Sequence, residues 1–214
     1  MSDAAYWFDL DGTLLEYAVP FERLLIDTLG TDPPAPVHGT FSREVFVALE
    51  SFADAPFEAA FEALVEEHGL ELDPTGSAAA FRERELAATR PIPGAEAALR
   101  RAGDLGAVGI LTNGDGDLQR AKLRRHGLDA LVDEVVVSNE VGARKPDPAI
   151  FEVAAGRLPA AVRVYIGDTY EEDVQPAADA GFLAVHVRHD DGPAVSLGQL
   201  AALAPLLGDA GEAS

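Results

Sequence analysis

The stretch Tyr6-Trp7-Phe8-Asp9-Leu10-Asp11-Gly12-Thr13-Leu14 decides how the rest of the chain is read. Tyr6 to Phe8 reads as a buried strand that runs directly into two carboxylates spaced i, i+2 and then a glycine. Residues two apart in an extended chain project to the same face, so Asp9 and Asp11 can point at one spot. Two acids held together there repel unless a cation or a shared proton relieves them. The pair is therefore a candidate metal and proton-transfer site. Taken alone, Asp-x-Asp-Gly is also what a solvated turn at a strand end looks like. The choice rests on whether matching parts recur further along.

Outward from this strand the chain changes pattern twice. From about Glu16 to Thr89 it reads helical throughout, with Phe21, Leu24, Leu25 and Leu29, then Val45, Phe46, Leu49 and Phe52, then Phe57, Phe61, Leu64 and Val65 near helical spacing. Pro56 and Pro74 sit where a first helical turn accepts proline, and Thr31 to Gly39, with Pro33, Pro34 and Pro36, reads as a loop. From Pro91-Ile92-Pro93-Gly94 onward, helices alternate with short apolar runs. The expected strands are Ala107 to Leu111, Glu134 to Ser138, Val162 to Ile166 and Leu183 to Val187. The expected helices follow Gly94, Gly114, Asp147 as N-cap and Asp168, with a last one around Ser196 to Leu207.

Strands alternating with helices imply right-handed crossovers and a doubly wound, mainly parallel, five-stranded Rossmann-like sheet of the α/β class. Residues 1–15 plus 90–214 form the expected core, and residues 16–89 an α-helical cap inserted after the first strand. Ligands of such sheets sit at the carboxyl ends of the strands. The polar residues there are Asp9 and Asp11, Thr112 and Asn113, Lys145, then Asp168 and Asp173. A parallel sheet brings all of these to one edge.

Composition narrows the partners. The chain has 214 residues, enough for one sizeable α/β core with an insert. It has no cysteine, hence no disulfide or thiolate chemistry, and no apolar run long enough to span a membrane. Ser2 and Asp3 precede only a short apolar run, unlike a signal peptide, so a cytoplasmic protein is expected. The 37 acidic residues outnumber 16 basic ones, for a net charge of −21. That field repels nucleic acid and anionic lipid. Only Lys122 and Lys145 are lysines, and heavy acidity with so little lysine fits a halophilic protein whose self-repulsion is screened by salt. The five histidines show no ligand-like spacing.

Four blocks in order, Asp9-Leu10-Asp11-Gly12-Thr13, Leu111-Thr112-Asn113-Gly114, Arg144-Lys145-Pro146-Asp147 and Gly167-Asp168-Thr169 with Asp173, give the chain its family likeness. It resembles the haloacid dehalogenase-like hydrolase superfamily along essentially its whole length, and within it the capped phosphatases similar to phosphoglycolate phosphatases. The resemblance implies, and phosphoryl-transfer chemistry supports, Asp9 as nucleophile and Asp11 as the acid that protonates the leaving alkoxide and then activates water. It implies Mg²⁺ held by Asp9, the Asp11 carbonyl and Asp168, all hard oxygen donors. Lys145, Thr112 and the Asn113 amide would stabilise the transferring phosphoryl oxygens. Asp173 would orient metal-bound water or Lys145, or simply favour its helix's N-terminus.

The second acid favours phosphate chemistry, because dehalogenases resembling this fold lack a carboxylate two residues after the nucleophile. The expected substrate is a small phosphorylated metabolite, since a lid excludes folded proteins. Arg23, Arg43, Arg82 and Arg84 in the insert, with Arg90 at its end, are candidate readers of a second anionic group, or surface charges. A sugar-phosphate phosphomutase and a non-catalytic interaction module stand as alternatives. The sequence leaves the oligomeric state open.

Overall fold

The strand Ala4–Phe8 (β1) lies at the centre of a parallel sheet, and its side chains alternate between two apolar layers. Tyr6 and Phe8 enter one layer, Ala5 and Trp7 the other. Both faces are covered, which is why the run is apolar without interruption. This computed structural model describes residues 4–187; the expected helix around Ser196 to Leu207 and His189 lie outside the described residues.

After β1 the chain forms a short strand, Leu15–Tyr17 (β2), and four helices: Phe21–Leu29 (α1), Ala35–Glu50 (α2), Pro56–His68 (α3) and Pro74–Ala88 (α4). It returns through Thr89–Pro91 (β3), Ala95–Leu105 (α5), Ala107–Thr112 (β4) and Gly116–Arg125 (α6). Glu134–Val137 (β5), Ser138–Val141 (α7), Pro148–Arg157 (α8) and Val162–Gly167 (β6) follow. A π-turn at Tyr170–Val174 leads into Gln175–Asp179 (α9) and Leu183–His186 (β7).

The five-stranded sheet has the order β5-β4-β1-β6-β7, parallel throughout, as the alternation implies. Order reverses beside β1, placing its carboxyl end at the switch point where such sheets bind ligands. Gly109 in β4 allows close packing there. A Cβ at that position would lie 2.5 Å from the Trp7 ring, so the buried indole occupies the space a side chain would need.

Helices α1 to α4 bury an apolar cluster of their own, to which Leu118 of α6 also contributes. Phe41 and Phe81 lie 5.0 Å apart between ring centroids, and Phe57 sits 5.1 Å from Phe81. Three details differ from expectation. The region after β1 is not helical throughout: Leu15 to Tyr17 pairs antiparallel with Thr89 to Pro91, forming a two-stranded ribbon at both ends of the helical insert. Three-residue strands are too short to show a two-residue period. Helix α2 begins at Ala35, so Pro36 to Gly39 are helical rather than loop, because proline at a first turn costs no hydrogen bond. Phe46 does not join the apolar cluster; it is 54% exposed, with the Arg144 guanidinium 5.4 Å above its ring.

Candidate active site

Asp9 is the first residue beyond β1, and its backbone N–H still donates to Ile166 of β6 at 2.9 Å. Its carboxylate is buried and accepts from Lys145 Nζ at 2.6 Å. The same ammonium donates to Asp173 Oδ1 at 2.5 Å and to the Tyr165 hydroxyl at 3.0 Å. Lysine's three donors are thus all used, on two acids and a phenol. Burial, together with the Asp173 carboxylate, pushes the Asp9 carboxyl up to about 7 against the pull of Lys145. Burial pulls Lys145 down, but Asp9, Tyr165 and Asp173 outweigh it and hold the ammonium well above the usual lysine range.

Asp168 is the first residue beyond β6, the strand beside β1. Asp9, Asp168 and Asp173 each offer a carboxylate oxygen, and those oxygens lie within 4.8 Å of one another. Asp168 Oδ1 accepts from the Thr13 hydroxyl at 3.1 Å, and its backbone carbonyl lies 2.8 Å from His186 Nε2. Burial first, then Asp173, raise its carboxyl. Asp173 is less available, since Oδ1 meets Lys145 and Tyr165 while Oδ2 accepts from the Thr169 N–H at 3.0 Å. Gly12 permits this approach of two loops. Its φ is +92°, and a Cβ there would fall 2.5 Å from Asp168 Oδ2.

Asp11 engages a different partner. The shared face that i, i+2 spacing predicts holds only within a strand, and β1 stops at Phe8. Asp11 instead bonds Lys122 Nζ at 3.1 and 3.0 Å and accepts from Gln119 Nε2 at 2.7 Å. Lys122 is 1% exposed and also donates to the Tyr17 hydroxyl at 2.7 Å, with Glu85 Oε1 at 3.0 Å. Burial pulls this ammonium down, yet Asp11, Glu85 and Tyr17 raise it well above the usual range. Burial and then Asp11 drive the Tyr17 hydroxyl upward. Each acid of the opening stretch thus has its own buried lysine, and these are the chain's only two.

Thr112 is buried at the end of β4, where its hydroxyl donates to the Asn113 carbonyl at 3.2 Å and accepts from Gln119 at 2.9 Å. Asn113 spends its side chain on the backbone of Lys145, donating to its carbonyl at 3.0 Å and accepting from its N–H at 2.9 Å. It therefore fixes the loop carrying Lys145, whose peptide bond to Pro146 is cis. Ser138, which begins α7 rather than ending β5, accepts from the Gly114 N–H at 2.9 Å and steadies that turn.

Sequence reasoning missed Lys122, Gln119, Tyr165 and Glu85. A signal existed for Lys122: in a chain with only two lysines, each stands out. Gln119 stands one helical turn before Lys122, on the same face of α6. Of the candidate arginines, Arg23, Arg43 and Arg82 in the insert and Arg90 in β3 pair with Asp27, Glu44 and Glu67, Asp115, and Glu16 respectively. Arg84 donates to the Ala80 carbonyl. Among the described residues no helix is long and apolar enough to cross a membrane.

Residues 4–181 match the family model for haloacid dehalogenase-like hydrolases. The chain is 36% identical to a phosphoserine phosphatase of Thermus thermophilus, over 84% of its own length and 86% of the relative's. It is 32% identical to a phosphoglycolate phosphatase of Cereibacter sphaeroides, over 81% and 80% of the two chains. In three dimensions it resembles the hydrolase YfnB of Bacillus subtilis, solved bound to magnesium, with a TM-score of 0.68 and 23% identity over 90% and 92% of the chains.

Proposed function

This chain belongs to the haloacid dehalogenase-like hydrolases, and on that premise we propose that it is a Mg²⁺-dependent phosphatase acting on a small phosphomonoester through an aspartyl-phosphate. Hydrolysis of phosphoric monoesters is the activity that its phosphatase-named relatives support. The observation that carries the mechanism is the division of labour between the two lysines. Lys145 holds Asp9 at 2.6 Å, whereas Lys122 holds Asp11 apart from it, so one carboxylate can attack while the other handles the proton.

The donor set fits Mg²⁺. With all three acids ionised, three carboxylates around one ammonium leave the cluster two charges negative, and a dianionic phosphate would not enter such a field unaided. All available donors are hard oxygens, the kind Mg²⁺ prefers over the imidazoles and thiolates that select zinc. Asp9 and Asp168 would hold the ion, joined by the Asp11 carbonyl; Asp173, with both oxygens engaged, positions Lys145 instead. When bound, the ion supplies positive charge opposite the phosphate and polarises its oxygens.

The protein's own groups then divide the reaction. One Asp9 oxygen attacks phosphorus while the bond from phosphorus to the leaving oxygen breaks, and Asp11 gives that oxygen its proton. In the second half, Asp11 takes a proton from water as it attacks the aspartyl-phosphate, freeing Asp9 and inorganic phosphate. Lys145 donates here to Asp9, Asp173 and Tyr165, and the Thr112 hydroxyl to the Asn113 carbonyl. Once phosphate enters, each would turn a donor, with the Asn113 N–H, to the transferring oxygens, where donors in a buried site act strongly. Residues 16–89 serve as the cap over a core of residues 1–15 and 90–214. Such a lid admits a small metabolite and excludes nucleic acid and folded proteins. The protein works in the cytoplasm, and its acidic surface suits a halophilic interior.

Phosphate release from a panel of phosphorylated metabolites, with Mg²⁺ and then with EDTA, tests this reading. Release that EDTA abolishes supports it. Activity untouched by thorough chelation would remove the metal from the account.

A further inference from the structure

Lys122 does more than hold Asp11 apart from Asp9, and it is as deeply buried as the catalytic lysine. Its ammonium reaches three parts of the molecule at once: Asp11, the Tyr17 hydroxyl in the β2/β3 ribbon, and Glu85 on α4. Tyr17 closes the ring by donating to Glu85 Oε1 at 2.8 Å. Glu85 Oε2 is buried without a hydrogen-bond partner, so the lysine is that carboxylate's main source of compensation.

Helix α4 rests along α6 through an ordered series. Arg82 pairs with Asp115 at 2.9 Å, Glu85 with Lys122 at 3.0 Å, and the Thr89 hydroxyl lies 2.9 Å from His126 Nε2. Arg82 and Glu85 form one stripe on α4, and Thr89, the first residue of β3, extends it. The same stripe therefore seats the insert on the core and fixes the lysine that grips Asp11. A lysine stem is flexible and offers three donors in no fixed plane, so its aim is set by its partners. Withdrawing α4 would remove Glu85, loosen the ammonium and free the Asp11 carboxylate to turn.

We infer that Lys122 is a positioning residue: it aims Asp11 at the leaving oxygen and, through Glu85 and Tyr17, makes that aim depend on whether α4 is seated on α6. The inference rests on the phosphatase reading and extends it, since it ties the proton-transfer step to the placement of the insert.

The test exploits leaving groups. A p-nitrophenyl phosphate expels a stable phenolate and needs little protonation, whereas an alkyl phosphate needs the proton from Asp11. The parameter is kcat/KM, which covers steps through formation of the aspartyl-phosphate and excludes its hydrolysis. Lys122→Met and the milder Glu85→Gln should each lower kcat/KM for the alkyl ester at least tenfold more than for the aryl ester. Adding Lys122→Met to Asp11→Asn should cost nothing further with the alkyl ester, because both changes remove one function. Equal losses on both esters, or independent losses in the double variant, would overturn the proposal by making Lys122 a packing residue. Inactivity of the wild-type protein on every phosphate ester is a different failure: it would overturn the phosphatase reading, and the proposal with it.

Discussion

Replacing Lys145 with methionine probes how the site balances its charges. Methionine keeps most of the stem's volume but removes the ammonium, leaving Asp9 and Asp173 buried and facing one another without a cation. Deleting one partner of a buried pair costs about 3–5 kcal/mol, far more than the same change on the surface. The loss depends on pH in a definite direction. In the wild type the Asp9 carboxyl is already raised to about 7 from an ordinary value of 3.8, chiefly by burial. A carboxyl raised in the folded state contributes stability below its unfolded pKa and loses it as pH climbs through its folded pKa. Without Lys145 the carboxyl rises further, so the variant keeps losing stability above pH 7, where the wild type has levelled off. Urea melts of metal-free protein should show a deficit of about 3–5 kcal/mol at pH 8. It should shrink by roughly 1–2 kcal/mol near pH 5.5, where Asp9 is neutral in both proteins. Saturating Mg²⁺ should return about 2–3 kcal/mol at a hundred times its Kd. A deficit below about 1 kcal/mol with no pH dependence would refute the reasoning, because it would place Lys145 in a solvated, surface-like environment.

Other parts of the site make separate predictions. Gly12→Ala puts a Cβ at φ +92° and 2.5 Å from Asp168 Oδ2, so titration calorimetry should show Mg²⁺ affinity falling at least tenfold, with about 1–3 kcal/mol of lost stability. Because the Asp9 carboxyl is raised to about 7, a proton competes with Mg²⁺; the apparent Kd should rise about tenfold per pH unit below 7, more steeply wherever the raised Asp168 carboxyl also takes a proton. With a net charge of −21, the protein should gain roughly 5 °C or more in Tm between dilute buffer and molar KCl, and undiminished stability in dilute buffer would count against a halophilic origin.

The parts of the fold that were legible in the sequence are those with a strong local signature. The uninterrupted apolar run of β1 declared a buried strand, and polar residues at or just past the ends of later strands, Thr112 and Asp168 among them, lie at the edge to which the parallel sheet carries those ends. Proline at the first turns of α3 and α4, and the Asp147 side chain accepting from the Ala149 N–H, set helix starts that the chain spells out directly. What stayed hidden depends on contacts remote in sequence. The β2/β3 ribbon joins segments more than seventy residues apart, and each is too short to show a period. The aim of Asp11 is fixed by Gln119 and Lys122, over a hundred residues downstream, so local geometry alone pointed it toward Asp9. Glu85 is one of two glutamates interleaved with two arginines on α4, and nothing local marks it for the lysine that its carboxylate meets.

The central claim is that Asp9 becomes covalently phosphorylated. Wild-type protein mixed with Mg²⁺ and a phosphomonoester that it hydrolyses, acid-quenched during turnover and mapped by peptide mass spectrometry, should carry one labile phosphoryl group on Asp9. Asp9→Asn should fold normally, carry no adduct and release no phosphate. An adduct on another residue, or an Asp9→Asn protein that still turns over at a substantial fraction of the wild-type rate, would contradict the account.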